Sequence, residues 1–281
     1  MTVSPINADV VAQALGEVRR SLGESPVERI EALAGGVSNL TFRVDRGNAA
    51  PVVIRVERES GIFEPYDVVR ESRVLRALAG TAVPVPEVLA VATESQALKA
   101  AFFVMEFVNA PHMGEVPRST RVTANDVDAV ARIHEVPWLE AGLAFLDAPE
   151  VGTEGAARDL ALVEARAARY GQANDPFIAE LGGWLGAHLA TTLDLVFCQG
   201  DINVFNYLFR EQEVGGGGGL GASTDRRPAV GYGTAGGAVV FTGCTGSAGS
   251  VADRCGLRGA LRGGSGSAAL LGPGGGYTSW R

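Results

Sequence analysis

The segment FCQGDINVFNYLF, residues 197–209, sets polar residues at a fixed spacing inside an apolar run. Asp201 is followed, after four intervening residues, by Asn206. A carboxylate is rarely buried without a partner, so a polar pair on an apolar frame indicates side chains that serve a ligand. The alternative is a polar β-turn in which Asp201 and Asn203 are the turn-forming residues. This would explain Asp201 if it were considered without the rest of the pattern.

A glycine turn lies upstream, in LAGGVSNLTFRV at residues 33–44. Gly35 and Gly36 precede Ser38 and Asn39, between segments that read as strands. Glycine permits positive φ and carries no side chain, so its backbone N–H groups can approach a phosphate. An ordinary hairpin turn is the alternative for this stretch taken alone.

A cation stands inside an apolar strand, at Arg55 in PVVIRVE, and the helix that follows carries Glu71 in VVRESRVLRAL. A buried cation is costly unless it is paired, so this pair predicts either a structural ion pair or a phosphate anchor. The alternative places Arg55 on the solvent face of an edge strand.

The hydrophobic pattern predicts an α+β chain with two lobes. Helical spacing covers residues 7–23 and 67–80, and strand patterns cover 30–44, 51–56, 84–93 and 100–108. From residue 123 the pattern is helical, with further helices over 156–170 and 177–190, before the strand and loop of 197–209. We expect a strand-rich, nucleotide-binding lobe at 1–108 and a partial helical lobe with the loop of Asp201 at 109–214.

The order of these features resembles the aminoglycoside phosphotransferase and choline kinase superfamily, which has the protein-kinase-like fold. D-x-x-x-x-N is the spacing of the kinase catalytic loop. GGVSN, ESRVLRALAGTAVPVPEVLA, FFVMEFV and QGDINVFNYLF carry the resemblance over about residues 28–214. Among its branches the chain is most similar to the one also found fused to acyl-CoA dehydrogenases.

The resemblance implies an enzyme that transfers the γ-phosphoryl group of ATP, with Mg²⁺, to a small-molecule hydroxyl. It makes Asp201 the catalytic residue and Asn206 a magnesium ligand. The nucleotide would be bound by Gly35, Gly36, Ser38, Asn39, Arg55, Glu71, Glu106 and Val108, the last two lying in the segment whose backbone contacts adenine. The alternative function is a nucleotide-binding but catalytically inactive, truncated kinase-like protein.

Two positions depart from the family pattern within this range. Arg55 stands where the family usually has lysine, and arginine can bind phosphate with two parallel hydrogen bonds. Gln199 stands where the loop usually has histidine, and it can donate hydrogen bonds but cannot change charge.

The composition changes after Val214. Of the 38 glycines, 16 lie in residues 1–214 and 22 in residues 215–281, and the latter segment has two Asp, no Glu and six Arg. Such a segment buries too little apolar surface to offset its ordering entropy, so residues 215–281 are predicted to be disordered or frameshifted and the helical lobe incomplete.

Reading the stretch one nucleotide later permits a different sequence. Codons for Gly219 to Ala222 then allow Asp-Trp-Glu, and the same register allows D-P-x-x-D over residues 227–231. The family pattern has both motifs after its loop, so a frameshift near codon 214 is the preferred interpretation. A natural glycine-rich tail is the alternative.

The net charge, the hydropathy and the cysteine count argue against a nucleic-acid binder, a membrane protein and a disulfide-rich or metal-cluster protein. The net charge of −8 argues against a nucleic-acid binder. No apolar run approaches the roughly 18 residues of a membrane span, and no signal pattern opens the chain, so we expect no membrane partner and a cytoplasmic location. Three cysteines indicate neither a disulfide framework nor a metal cluster.

Overall fold

The computed structural model describes residues 6–33, 39–61, 66–110, 129–191, 194–199, 207–211 and 226–230. Its strands are β1 (Val27–Ala32), β2 (Leu40–Arg46), β3 (Ala49–Val56), β4 (Val88–Ala92), β5 (Phe102–Glu106), β6 (Tyr207–Glu211) and β7 (Arg226–Val230). Its helices are α1 (Ala8–Glu17), α2 (Arg19–Leu22), α3 (Val68–Leu78), α4 (Glu154–Arg169) and α5 (Pro176–Ala187). Residues 129–134 are also helical, and Ala144–Leu146 form a 3₁₀ turn.

A five-stranded antiparallel sheet in the order β1-β2-β3-β5-β4 organises the first part of the chain. The central strand β3 is buried on both faces, which explains why its sequence is apolar apart from Arg55. Val52, Ile54 and Val56 pack with Val11 and Leu15 of α1. Helix α3 covers the opposite face of the sheet.

Helix α3 begins at its cap Asp67, whose carboxylate accepts a hydrogen bond from the Arg70 backbone N–H at 2.7 Å. Its buried residues recur at helical spacing as Val68, Ser72, Leu75 and Leu78. Val68 and Leu75 pack with Val53, Phe103 and Met105 of the sheet. Glu71 lies at the edge of this buried face, and its side chain therefore reaches the sheet.

A second core joins α3 to the helical part of the chain. Leu78 at the end of α3 packs with Ile133 on the 129–134 helix, with Leu143 and Leu146 around the 3₁₀ turn, and with Phe197. Phe197 opens the segment quoted above, so this core sets where the chain enters the loop of Asp201. The combination of sheet and helices confirms the predicted α+β fold.

Two details differ from the sequence prediction. The helix predicted over residues 7–23 is divided at Val18, which has φ −110° and ψ 15°, into α1 and α2. Gly16 and the β-branched Val18 both have low helix propensity, which accounts for the break. Residues 197–199, at the start of the segment predicted as strand and loop, have no regular secondary structure, and the strand of that segment begins at Tyr207.

Strands β6 and β7 form a separate antiparallel pair in which Tyr207 lies opposite Val230 and Glu211 opposite Arg226. Strand β7 lies within the segment predicted to lack regular structure, so that prediction needs an exception for residues 226–230. The rest of residues 215–281 lies outside the described part of the chain. The boundaries at residues 108 and 214 adjoin stretches that are likewise outside it, and they stay predictions. No helix among the described residues is long and apolar enough to cross a membrane.

Candidate functional site

Arg55 is the largest fully buried side chain of the described residues, with 1% of its surface exposed. Side chains alternate between the two faces of a strand, so Arg55 shares the face of Val53, which packs against α3. Strand β3 has neighbours on both sides, because β2 and β5 pair with it. The alternative in which Arg55 lies on the solvent face of an edge strand is therefore excluded.

Glu71 is the partner of this buried cation. The Nε of Arg55 lies 2.8 Å from Oε1 and 2.9 Å from Oε2 of Glu71. Hydrogen bonds between ionised groups are among the strongest in proteins, and a buried guanidinium needs such a partner to offset its lost hydration. Strand β3 and helix α3, which the sequence placed in this order, thus bring the predicted pair together.

Thr41 is a member of the site that the sequence analysis missed. It lies directly opposite Arg55 in the β2–β3 pairing, and its Oγ1 accepts a hydrogen bond from Arg55 Nη1 at 3.1 Å. Two different nitrogens of one guanidinium are therefore held by groups from two elements. The plane of the guanidinium is fixed as a result, because a planar fork held at two points cannot rotate freely.

Asn39 is a further partner of the Glu71 carboxylate. Its amide Nδ2 donates to Glu71 Oε2 at 3.4 Å, and its Oδ1 accepts from the Arg58 backbone N–H at 3.3 Å. The side chain is buried. A buried amide with both ends engaged braces its neighbours, so in this structure Asn39 links the start of β2, the end of β3 and helix α3.

The end of β5 supplies the second predicted contact region. Glu106 lies opposite Val52 while Phe103 lies opposite Arg55, so Glu106 is three residues, about 10 Å, along the strands from the buried cation. The Glu106 backbone N–H donates to the Glu87 carbonyl, and the carbonyl of the buried Val108 accepts from the Ala110 N–H. The chain that leaves β5 is thus held in place.

The ring of Phe107, directly after β5, also helps to hold the chain that leaves β5. The guanidinium of Arg43 on β2 lies over the Phe107 ring, 4.2 Å from its centroid, and Arg43 also donates from Nε to Asp45 Oδ1 at 2.8 Å. Cation–π contacts of this kind contribute about 0.5–1 kcal/mol at partly exposed sites. The arrangement ties the end of β5 to β2, on the sheet that carries Arg55.

The remaining predicted site residues lie outside the described part of the chain: Gly35, Gly36, Ser38, Asp201 and Asn206. The flanks of the loop that carries Asp201 are described. Val196, Phe197 and Cys198 are buried before it, and Leu208 is buried after it. Both ends of the loop are therefore anchored by apolar side chains, as a loop that positions polar groups requires.

His134 lies at the end of the 129–134 helix, next to Ile133, which packs with Phe197. Its Nδ1 is buried and has no hydrogen-bond partner among the described residues. Burial lowers the pKa of His134 below its ordinary value, because the charged imidazolium loses hydration. The ring of His134 is thus favoured in its neutral form.

The chain matches the model of a known protein family. The model of the phosphotransferase enzyme family matches residues 29–219, which include most of β1, all of β2 to β6, α3 and every predicted site residue. No curated protein sequence matches the chain.

Solved structures of phosphotransferases are similar to the chain, and three of them show the range of the likeness. A crystal structure described as an aminoglycoside phosphotransferase from Ralstonia eutropha JMP134 has 23% identity and a TM-score of 0.53, over 78% of this chain and 63% of that one. An aminoglycoside-3'-phosphotransferase of type VIII has 17% identity and a TM-score of 0.48, over 83% and 78%. A macrolide 2'-phosphotransferase type I has 17% identity and a TM-score of 0.49, over 81% and 75%.

The first of these likenesses supports a shared fold, the two-lobe arrangement of kinase-like phosphotransferases. The chain spans 63% of the length of that structure, so more than a third of that structure has no counterpart here.

Proposed function

The chain belongs to the phosphotransferase enzyme family, and from this premise we propose that the protein, once its reading frame is restored after codon 214, transfers the γ-phosphoryl group of ATP to a hydroxyl group of a small molecule. The observation that carries the proposal is the buried Arg55, held by Glu71 and Thr41 inside the matched range. The geometry fits a phosphate anchor, because a guanidinium bound by groups from two elements is held in a fixed orientation, and arginine is suited to binding phosphate with parallel hydrogen bonds.

The nucleotide would lie between two described features of the sheet. Arg55 would bind the α- and β-phosphates, and the backbone at Glu106 and Val108, about 10 Å along the strands, would contact adenine. Gly35, Gly36, Ser38 and Asn39 would cover the phosphates with backbone N–H groups. In this assignment the Asn39 side chain keeps its place on Glu71 and only its backbone faces the ligand.

Asp201 would act on the acceptor. A carboxylate at the start of the loop can accept a hydrogen bond from the acceptor hydroxyl, orient its oxygen towards phosphorus and take its proton as the new bond forms. The buried residues Phe197, Cys198 and Leu208 hold the two ends of this loop. Little covalent chemistry falls to the protein in such a transfer, so positioning and charge neutralisation supply most of the rate.

Magnesium belongs to this proposal through Asn206, whose amide oxygen is a ligand type that Mg²⁺ accepts. Asn206 lies outside the described residues, and within them no group of three His, Cys, Asp or Glu side chains could hold a metal ion. The donors would therefore come from the loop and from ATP itself. When bound, the ion would neutralise phosphate charge during transfer.

A second candidate function is a chain that binds nucleotide without turnover. The match to the family model ends at residue 219, shortly after β6, and the sequence beyond it is rich in glycine. The first lobe, which carries Arg55 and Glu71, is complete without that segment. The two candidates therefore agree on ATP binding and differ on phosphoryl transfer.

An experiment on three samples separates them: the chain as given, a version in which the frame is restored at codon 214, and the restored version with Asp201→Ala. Release of ADP is measured with ATP, Mg²⁺ and a panel of aminoglycosides, macrolides and small amino alcohols, and ATP binding is titrated in parallel. We expect ATP binding in all three and acceptor-dependent ADP release in the restored chain alone. A restored chain that binds ATP but releases no ADP with any acceptor would favour the second candidate, and absence of ATP binding would refute both.

A further inference from the structure

An open cavity lies in the first lobe, where α1 and α2 meet the start of β1 and the end of β2. Its volume is about 430 Å³, within the range of about 300–1,000 Å³ that is typical of small-molecule sites. Helix α1 packs on the face of the sheet that carries Val52 and Ile54, whereas Arg55 shares the opposite face with Val53. The cavity and the proposed phosphate anchor therefore belong to opposite faces of the sheet. We call this space the α1–β2 cavity.

The break in the first helix and the turn after it leave this space open. Helix α1 ends at Val18, and Gly23 ends α2 with a φ of 76°, a conformation that favours glycine. The chain thus turns away from the helix before it enters the sheet at Val27. Gly16 also lines the cavity, and a Cβ placed on it would meet no atom within 4 Å. Small residues and turns therefore keep the cavity from being filled by the protein itself.

Hydrogen bonds brace the wall of the cavity. Arg46 at the end of β2 donates from Nη1 to the Leu22 carbonyl at 3.1 Å. The backbone N–H of Asn48 donates to Ser25 Oγ at 3.2 Å. These bonds tie the turn between β2 and β3 to the connection between α2 and β1. The wall is therefore formed before any ligand binds, as sites for small molecules usually are.

Most of the cavity lining is apolar. The aliphatic side chains come from both helices and from the chain that enters β1: Ala12, Leu15, Leu22, Pro26 and Val27. Such a lining binds the apolar part of a ligand, because contact removes apolar surface from water. The lining therefore predicts a ligand with an apolar body.

Two arginines, Arg19 and Arg46, line the same cavity. Arg46 donates from Nε and Nη2 to the Ala50 carbonyl and from Nη1 to the Leu22 carbonyl, so its printed partners are all neutral. Within the described part of the chain, the side chain of Arg19 makes no hydrogen bond or ion pair. Glu24 is the acidic residue of the lining, and among the described residues it pairs with neither arginine.

Burial adds to this charge imbalance. It lowers the pKa of Arg46 below its ordinary value, because the guanidinium loses hydration. A carboxylate in the cavity would offset that loss, since hydrogen bonds between guanidinium and carboxylate groups are among the strongest in proteins. The cations therefore predict that the apolar ligand carries a negative charge.

We propose that the α1–β2 cavity is a binding site for a small amphipathic carboxylate. Its apolar body would lie against Leu15, Leu22 and Val27, and its carboxylate would pair with Arg19 and Arg46. An amine of the same shape would meet two like charges, and a carboxylate without an apolar body would leave the aliphatic lining in water. The site lies away from the proposed nucleotide site, so this inference does not depend on ATP binding.

Calorimetric titration of the chain with octanoate tests the proposal, with octylamine and acetate as matched probes. We expect octanoate to bind at least about tenfold more tightly than octylamine, which has the same chain and the opposite charge. It should exceed acetate, which lacks the apolar body, by a similar factor. Hydrogen exchange measured by mass spectrometry should slow within residues 19–27 when octanoate is added.

Variants locate the site. Arg19→Gln removes one charge from the cavity and should weaken octanoate binding by about tenfold. Arg20→Gln is the matched control, because Arg20 is the next residue of α2 but does not line the cavity. It should bind octanoate as the unaltered chain does. Gly16→Leu fills the open space beside Gly16 without changing any charge, and should abolish octanoate binding in a protein that circular dichroism shows to be folded.

Three results would overturn the proposal. Octylamine that binds as tightly as octanoate would show that the arginines select no charge. Octanoate that binds the Arg19→Gln and Gly16→Leu variants as tightly as the unaltered chain would place its site elsewhere. Absence of octanoate binding at millimolar concentration would show that the cavity does not take this class of ligand.

Discussion

The Nε atom of Arg55 on β3 contacts both carboxylate oxygens of Glu71 on α3, at 2.8 and 2.9 Å. This one contact joins the centre of the sheet to the helix that covers it. It also places a fully buried positive charge where a neutral strand residue would otherwise pack. The stability of the first lobe and its proposed nucleotide site therefore depend on the same pair.

Replacing Glu71 by alanine should destabilise the protein strongly. The change leaves the buried guanidinium of Arg55 without its counter-ion, and breaking a buried pair from one side costs about 3–5 kcal/mol. The free energy of unfolding in urea measures the effect. Glu31→Ala is the matched control, since Glu31 pairs with Arg29 on the exposed strand β1 and surface pairs contribute about 0–1 kcal/mol. Equal losses in the two variants would contradict the structural role given to Glu71.

Replacing Thr41 by valine should disturb the orientation of Arg55 without changing the shape of the strand. The variant loses the hydrogen bond from Arg55 Nη1, and hydrogen bonds to charged groups contribute about 1.5–3 kcal/mol. We expect a loss of stability of that order together with weaker ATP binding. Thr41→Ser keeps the hydroxyl and should keep both. If the valine and serine variants bind ATP equally well, Thr41 does not orient the anchor.

The pairing of Arg55 with Glu71 could be predicted from the sequence because both lie in elements with clear patterns. An apolar run interrupted by one arginine predicts a buried strand with a buried charge, and the next helix offered Glu71 on its inner side. The α+β class followed from the same patterns. What remained open was whether the strand lay at the edge or the centre, because strand order depends on long-range pairing that local sequence does not encode.

Thr41 and the bracing role of Asn39 could not be predicted for the same reason. Thr41 meets Arg55 only through the β2–β3 register, and that register depends on the connection between the strands. Asn39 was predicted to contact phosphate because it follows two glycines, which stays a prediction, and the contact of its side chain with Glu71 was not predicted. The break of the first helix at Val18 was missed because weak helix formers are often tolerated within helices.

Replacing Asp201 by alanine in the frame-restored chain should abolish phosphoryl transfer and leave ATP binding close to normal. The carboxylate is proposed to act on the acceptor and not on the nucleotide, and loss of a general base lowers rates by about 100-fold or more. The measurements are acceptor-dependent ADP release and an ATP titration on the same sample. Asp9→Ala, on the exposed first turn of α1, is the control. Near-normal turnover in the Asp201 variant would refute its assignment.

Acidification should destabilise the protein in part through His134. Burial lowers the pKa of His134 from its ordinary 6.5, so the unfolded chain binds this proton more readily than the folded chain does. The stability that the neutral ring contributes is therefore present above about pH 6.5 and is lost as the pH falls below it. His134→Asn should flatten the fall in unfolding free energy below that pH. A pH profile of the His134→Asn variant identical to that of the unaltered protein would contradict this account.

The central claim is that the buried Arg55 anchors a nucleotide, and an ATP titration of the purified chain, by calorimetry, tests it most directly. We predict that Arg55→Ala weakens ATP binding by about tenfold or more, equivalent to at least about 1.4 kcal/mol, and that Arg55→Lys retains part of the affinity. Arg29→Ala, at an exposed arginine of β1, should bind ATP as the unaltered chain does. Circular dichroism would confirm that each variant is folded. Folded Arg55→Ala protein that binds ATP with unchanged affinity would contradict the account.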